Sequence, residues 1–157
     1  MIHESRTATV DADLTAVWDV LADFGAISRW AANVDHSCLL AEMPASADEA
    51  SDLTGVTRRI QTGRTALVER ITAWSPPSHL AYRIEGLPPV LRSVTNEWQL
   101  APVRGAPGRT DVTLTSHVDA GPRPPQQLIA RLAAKRLTGA SEEMLQGLQR
   151  AMKEIHA

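Results

Sequence analysis

The sequence has one cysteine, one tyrosine and one phenylalanine among its 157 residues. A single thiol, Cys38, excludes an internal disulfide, so an apolar core has to hold the fold. That usage agrees with a reducing, cytoplasmic location. Positive charge is not in excess either: 16 Lys and Arg face 18 Asp and Glu, for a net charge of −2. No basic field therefore favours nucleic acid or anionic lipid. No apolar run approaches the ~20 residues that cross a bilayer. The opening MIHESRTATV has charges and no apolar centre, unlike a signal peptide. No GxSxG, phosphate-binding loop or dinucleotide fingerprint occurs. The five histidines, His3, His36, His79, His117 and His156, show no metal-ligand spacing. His117 and Asp119 share a strand face but lack a third ligand. Neither a metal nor another cofactor is expected.

What is present reads as one domain over residues 1–157, long enough to bury a sizeable core. Ile2–Val10 alternates as a strand does. Asp11 or Asp13 can cap the helix that follows, where Leu14, Val17, Trp18 and Leu21 recur at helical spacing. A second short helix is predicted over Ile27–Ala32 and a strand over Asn33–Leu40. Residues 42–52 carry four acids without periodicity and read as a solvated connector, with a lid as the alternative. Strands are predicted over Thr54–Thr62, Thr65–Trp74, Leu80–Gly86, Arg92–Leu100 and Thr110–Val118, with a turn-rich loop from Pro102 to Gly108. A long helix then runs to about Ile155. Leu128, Leu132, Leu137, Met144, Leu148, Met152 and Ile155 form its apolar stripe, which predicts packing on a sheet. Gly139 and Gly147 inside it permit either close backbone approach or room for a ligand.

The hairpin register points to a site. A two-residue turn at Gly63-Arg64 pairs Thr62 with Thr65 and sets Arg58 opposite Glu69. Alternation gathers Val56, Arg58, Ile60, Leu67, Glu69, Ile71 and Ala73 on one face, the more apolar one. In the next strand Leu80, Tyr82 and Ile84 share that face, with the Tyr82 hydroxyl near Glu69. A buried Arg–Glu pair is poor evidence for stability. Arg58, Glu69 and Tyr82 are therefore read as orienting a ligand's polar group. Asn96 and Trp98 share a face and join the ligand-binding set, as does Trp30. Trp18 is read as a seal between helix and sheet, and Trp74 as a cover for the sheet edge or outer face. Cys38 is read as a small apolar filler and His79 as solvated. Glu69, Tyr82 and, if it points inward, His3 are the candidates for proton transfer.

The residues Val17-Trp18-Asp19-Val20-Leu21, Asp23-Phe24 and Ser28-Arg29-Trp30 resemble the opening signature of the START-like SRPBCC superfamily. The similarity is to its polyketide cyclase/dehydrase-type group. Gly55-Val56-Thr57-Arg58, Val68-Glu69-Arg70-Ile71, Ala81-Tyr82-Arg83-Ile84, Leu87-Pro88 and Gly108-Arg109-Thr110-Asp111-Val112 extend it along the chain. The resemblance implies an α+β helix-grip fold, a curved antiparallel sheet wrapped around a long C-terminal helix and enclosing an apolar cavity. It implies no shared catalytic residue. The leading expectation is a carrier or sensor of a hydrophobic small molecule, lipid- or polyketide-like. The alternatives are a cofactor-independent cyclase or dehydratase, and an interaction module that dimerises through its sheet edge.

Overall fold

Among the described residues, alternating side chains and glycine-bearing turns build a single sheet of seven antiparallel strands. The computed structural model describes residues 1–40 and 52–155, so the expected lid at 42–52 lies, but for Asp52, outside the described residues, as does His156. The strands are β1 (Ile2–Val10), β2 (His36–Leu39), β3 (Thr57–Thr62), β4 (Thr65–Ser75), β5 (His79–Glu85), β6 (Ser93–Val103) and β7 (Ala106–Asp119). Their order across the sheet is β1-β7-β6-β5-β4-β3-β2. Between β1 and β2 come helix α1 (Leu14–Ala22) and a 3-10 helix (Phe24–Arg29); helix α2 (Pro124–Ile155) ends the chain. This is the helix-grip architecture.

Local chemistry sets the joints. Asp13 caps α1, accepting from the Ala16 N–H at 3.0 Å. Asp11, the other candidate cap, instead meets Arg109 at 2.9 Å. Gly63 takes a positive φ of 59° in the β3–β4 turn, and Thr62 pairs with Thr65. The predicted loop at 102–108 shrinks to Arg104-Gly105, because Val103 already pairs with Ala106. The second short helix begins and ends three residues earlier than predicted, and β2 is shorter than its predicted strand.

One irregularity changes a face assignment. The β4–β5 register shifts between Ile71 and Ala73, so Trp74 pairs with the buried Leu80. The extra residue inverts alternation for the rest of the strand. Trp74 therefore turns inward, not outward as predicted, and its ring stands 5.0 Å from that of Trp18. Trp18 is buried and seals α1 against the sheet.

Helix α2 lies on β1 and β7. Its buried face comprises Ala130, Ala134, Ser141, Met144, Leu145, Gly147, Leu148 and Met152. Leu128, Leu132 and Ile155, predicted to pack, are exposed. The alanines turn toward the sheet instead, so the contact face is offset from the leucine stripe. Gly147 resolves as a close approach, since a Cβ there would overlap the Trp30 carbonyl oxygen. Gly139 has nothing within 4 Å of an added Cβ.

Candidate ligand-binding site

The inner face of the sheet carries a connected polar and aromatic group. Arg58 on β3 and Glu69 on β4 are direct cross-strand partners, 2% and 3% exposed. Arg58 donates from Nε to Glu69 Oε1 at 2.7 Å and from Nη1 to the Phe24 carbonyl at 2.9 Å. Its Nη2 lies 2.7 Å from the same Glu69 oxygen, but is not aligned to donate to it and has no other acceptor among the described residues. The guanidinium carbon sits 3.8 Å from the centre of the Phe24 ring and 4.7 Å from that of Tyr82. Two aromatic faces thus help compensate a charge removed from water.

Tyr82 continues the group. Its hydroxyl accepts from Trp98 Nε1 at 3.2 Å and from Asn96 Nδ2 at 3.5 Å. Asn96 Oδ1 accepts from Ser116 Oγ at 2.7 Å. The Trp30 ring stands edge-on to Trp98, with centroids 5.9 Å apart. The structure therefore brings Arg58, Glu69, Tyr82, Asn96, Trp98 and Trp30 into one neighbourhood. Burial, and then the charge of Glu69, push the Tyr82 phenol above its ordinary pKa. Because the folded value is raised, the stability from neutral Tyr82 is intact below the unfolded value and is lost as pH climbs through the folded one. Tyr82 is the only tyrosine, so an alkaline absorbance titration reads it alone. We expect no phenolate signal while pH passes the ordinary value near 10.0, then appearance together with unfolding. A reversible signal at the ordinary value in folded protein would show that the phenol is solvated.

His3 does not join this group. Odd-numbered residues of β1 face outward, and His3 is exposed, its Nδ1 2.5 Å from Nδ1 of His117. The condition that His3 points inward is not met, because strand alternation directs Ile2 and Glu4, not His3, toward α2. His79, expected to be solvated, meets Glu97 at 2.9 Å, and His117 approaches the same carboxylate at 3.6 Å. The His79 hydrogen bond is the main reason the Glu97 carboxyl titrates below its ordinary range. Cys38 is exposed, not a filler. Among the described residues no three His, Cys, Asp or Glu side chains could hold a metal ion, and no helix is long and apolar enough to cross a membrane.

Two participants escape sequence reasoning. Phe24 lies 34 positions before Arg58, and only the tertiary fold brings its carbonyl and ring to the guanidinium. Ser116 carries no local signal beyond its parity with Val112 and Leu114 on β7. A third feature is a groove of about 690 Å³ between the β5–β6 connection and the first half of α2, lined chiefly by Leu87, Val90, Leu91, Ile129, Leu132 and Leu137. It opens where β5 ends, a few residues along the chain from Ile84, the cross-strand partner of Glu69.

Comparison with known proteins agrees with this architecture. The family described as polyketide cyclase/dehydrase and lipid transport matches residues 1–153. No curated protein matches the chain in sequence. Among solved structures, the Zhui aromatase/cyclase from Streptomyces sp. R1128 superposes with a TM-score of 0.76 at 17% identity, over 99% of this chain and 96% of that one. A START superfamily protein from Mycobacterium smegmatis gives 0.69 at 15% identity, over 98% of each. A protein from Thermobifida fusca gives 0.65 at 22% identity, over 96% and 95%. At such identities the likeness shows the fold alone. The family match along nearly the whole chain goes further: this protein belongs to the polyketide cyclase/dehydrase and lipid transport family of the START-like SRPBCC superfamily.

Proposed function

We propose that the chain binds a hydrophobic or amphipathic small molecule, lipid- or polyketide-like, against the inner face of its sheet, as a carrier or sensor. The observation that carries this reading is a buried donor, Trp30 Nε1, with no acceptor among the described residues. Its ring stands against Trp98, whose own Nε1 donates to Tyr82, the aromatic neighbour of Arg58. A buried polar atom left unsatisfied costs roughly 1–3 kcal/mol, which a ligand oxygen would recover. The indole N–H donates, so the ligand presents an acceptor: a carbonyl, carboxylate or phenolate oxygen on an otherwise apolar frame. A cyclase or dehydratase working without a cofactor needs a free base beside an acid. Glu69 is engaged by Arg58, which favours the carrier or sensor.

The test is titration with the fluorescent apolar anion 1-anilinonaphthalene-8-sulfonate, with native mass spectrometry of the protein as purified. Saturable one-to-one binding is expected, displaced by any retained molecule that mass spectrometry identifies. Replacing Arg58 with Met and Glu69 with Leu together should weaken it at least about tenfold, the effect of one charge-assisted hydrogen bond of roughly 1.5–3 kcal/mol. Unchanged affinity in the double variant would remove Arg58 from the site.

A further inference from the structure

Apolar exposure and positive charge converge on one end of the molecule. The exposed large hydrophobic residues among those described are Met1, Leu40, Val90, Leu128, Ile129, Leu132 and Ile155. Four of the seven, Val90, Leu128, Ile129 and Leu132, lie where the first half of α2 meets the β5–β6 connection. Leu128 and Leu132 are 57% and 59% exposed, one helical turn apart on a shared outward face. Pro88 and Pro89, both exposed, stiffen the connection that presents Val90.

The charges around them are of one sign. Residues 120–141 contain Arg123, Arg131, Lys135 and Arg136 and no acid, in a chain whose net charge is −2. All four are exposed and none pairs with an acid among the described residues. Lys135 and Arg136 line the groove itself. The small negative net charge conceals this uneven distribution, which leaves a local excess of positive charge on this helix.

Aliphatic knuckles ringed by unpaired cations suit a surface that is oily below and anionic above. An interfacial element sinks its apolar side chains to the headgroup boundary while Lys and Arg meet phosphates. A second copy of this chain fits poorly: a symmetric contact would press Arg131, Lys135 and Arg136 against their own counterparts. We propose that this end of the molecule docks on an anionic phospholipid bilayer, with Val90, Leu128 and Leu132 entering the interface and Arg131, Lys135 and Arg136 contacting lipid phosphates. Docking would also bring the groove mouth to the lipid phase, but does not require an interior ligand.

Co-sedimentation of the full chain with vesicles tests this. Phosphatidylcholine–phosphatidylserine vesicles should bind at least about tenfold more tightly than phosphatidylcholine alone, and added salt should abolish the preference. Leu132→Asp should lose binding, and Lys135→Glu with Arg136→Glu should lose the preference for anionic lipid. All three positions are exposed, and circular dichroism would verify folding. Lys153→Glu, at the other end of α2, should bind as the parent does, as should the Arg58→Met, Glu69→Leu variant, which separates docking from the interior site. Equal binding to both vesicles, unaltered binding by the patch variants, or no vesicle binding even where the patch captures an acidic protein would overturn the proposal.

Discussion

Replacing Glu69 with Ala is expected to lower the unfolding free energy by about 3–5 kcal/mol, the cost of stranding a buried charge. Arg58 is 2% exposed and cannot readily swing to water. Two of its nitrogens lie 2.7 Å from Glu69 Oε1, and its third donates to the Phe24 carbonyl. Without the carboxylate, Phe24 and Tyr82 supply ring faces, which attract a cation by only about 0.5–2 kcal/mol. Removing both charges is a different experiment. With Arg58→Met and Glu69→Leu together, the same volume is filled without a desolvated ion, and stability should match or exceed the parent. Urea denaturation of the parent, Glu69→Ala and the double variant reads both numbers. A loss below about 1 kcal/mol in Glu69→Ala is the behaviour of a solvated surface pair, and would show that water reaches Arg58.

The second large effect opposes the usual preference of a helix. Alanine exceeds glycine in helix propensity by about 1 kcal/mol, so propensity alone favours alanine at both α2 glycines. At Gly147 the added methyl would overlap the Trp30 carbonyl oxygen, a backbone atom that cannot rotate away, with the Ala31 Cα 3.5 Å off. Overpacking of this sort costs roughly 1–3 kcal/mol, occasionally more, and we expect Gly147→Ala to destabilise by the upper part of that range. Gly139 is exposed with open space around it, so Gly139→Ala should stabilise by about 1 kcal/mol. Thermal melts of the two variants should move in opposite directions. A shared direction would mean that α2 does not hold this distance from Trp30.

Period and turn chemistry made much of this legible beforehand. The Gly63-Arg64 turn set the β3–β4 register, and the register brought Arg58 to Glu69. Alternation then added Tyr82, Asn96 and Trp98. Alternation failed at Trp74, because no residue near Thr72 announces an inserted position in a strand. It also could not place His3: a strand with polar residues on both faces does not declare which one is buried. The leucine stripe of α2 misled for a related reason. Helical spacing finds an apolar face, but Ala130 and Ala134 pack as well as leucine where helix and sheet lie close. Phe24, whose carbonyl and ring both engage Arg58, required the fold itself.

The contact between Gly147 and the backbone of Trp30 has a mechanical consequence. It clamps the second half of α2 onto the segment that carries Trp30, while the first half rests on the sheet through alanine-sized contacts at Ala130 and Ala134. A rod fastened firmly at one end and lightly at the other behaves as a lever with its fulcrum near the clamp. Small rotations there become larger displacements at Leu132 and Leu137, the side of α2 that faces Leu87 and Leu91 across the groove. Motion of α2 is thereby confined to the end where the groove lies.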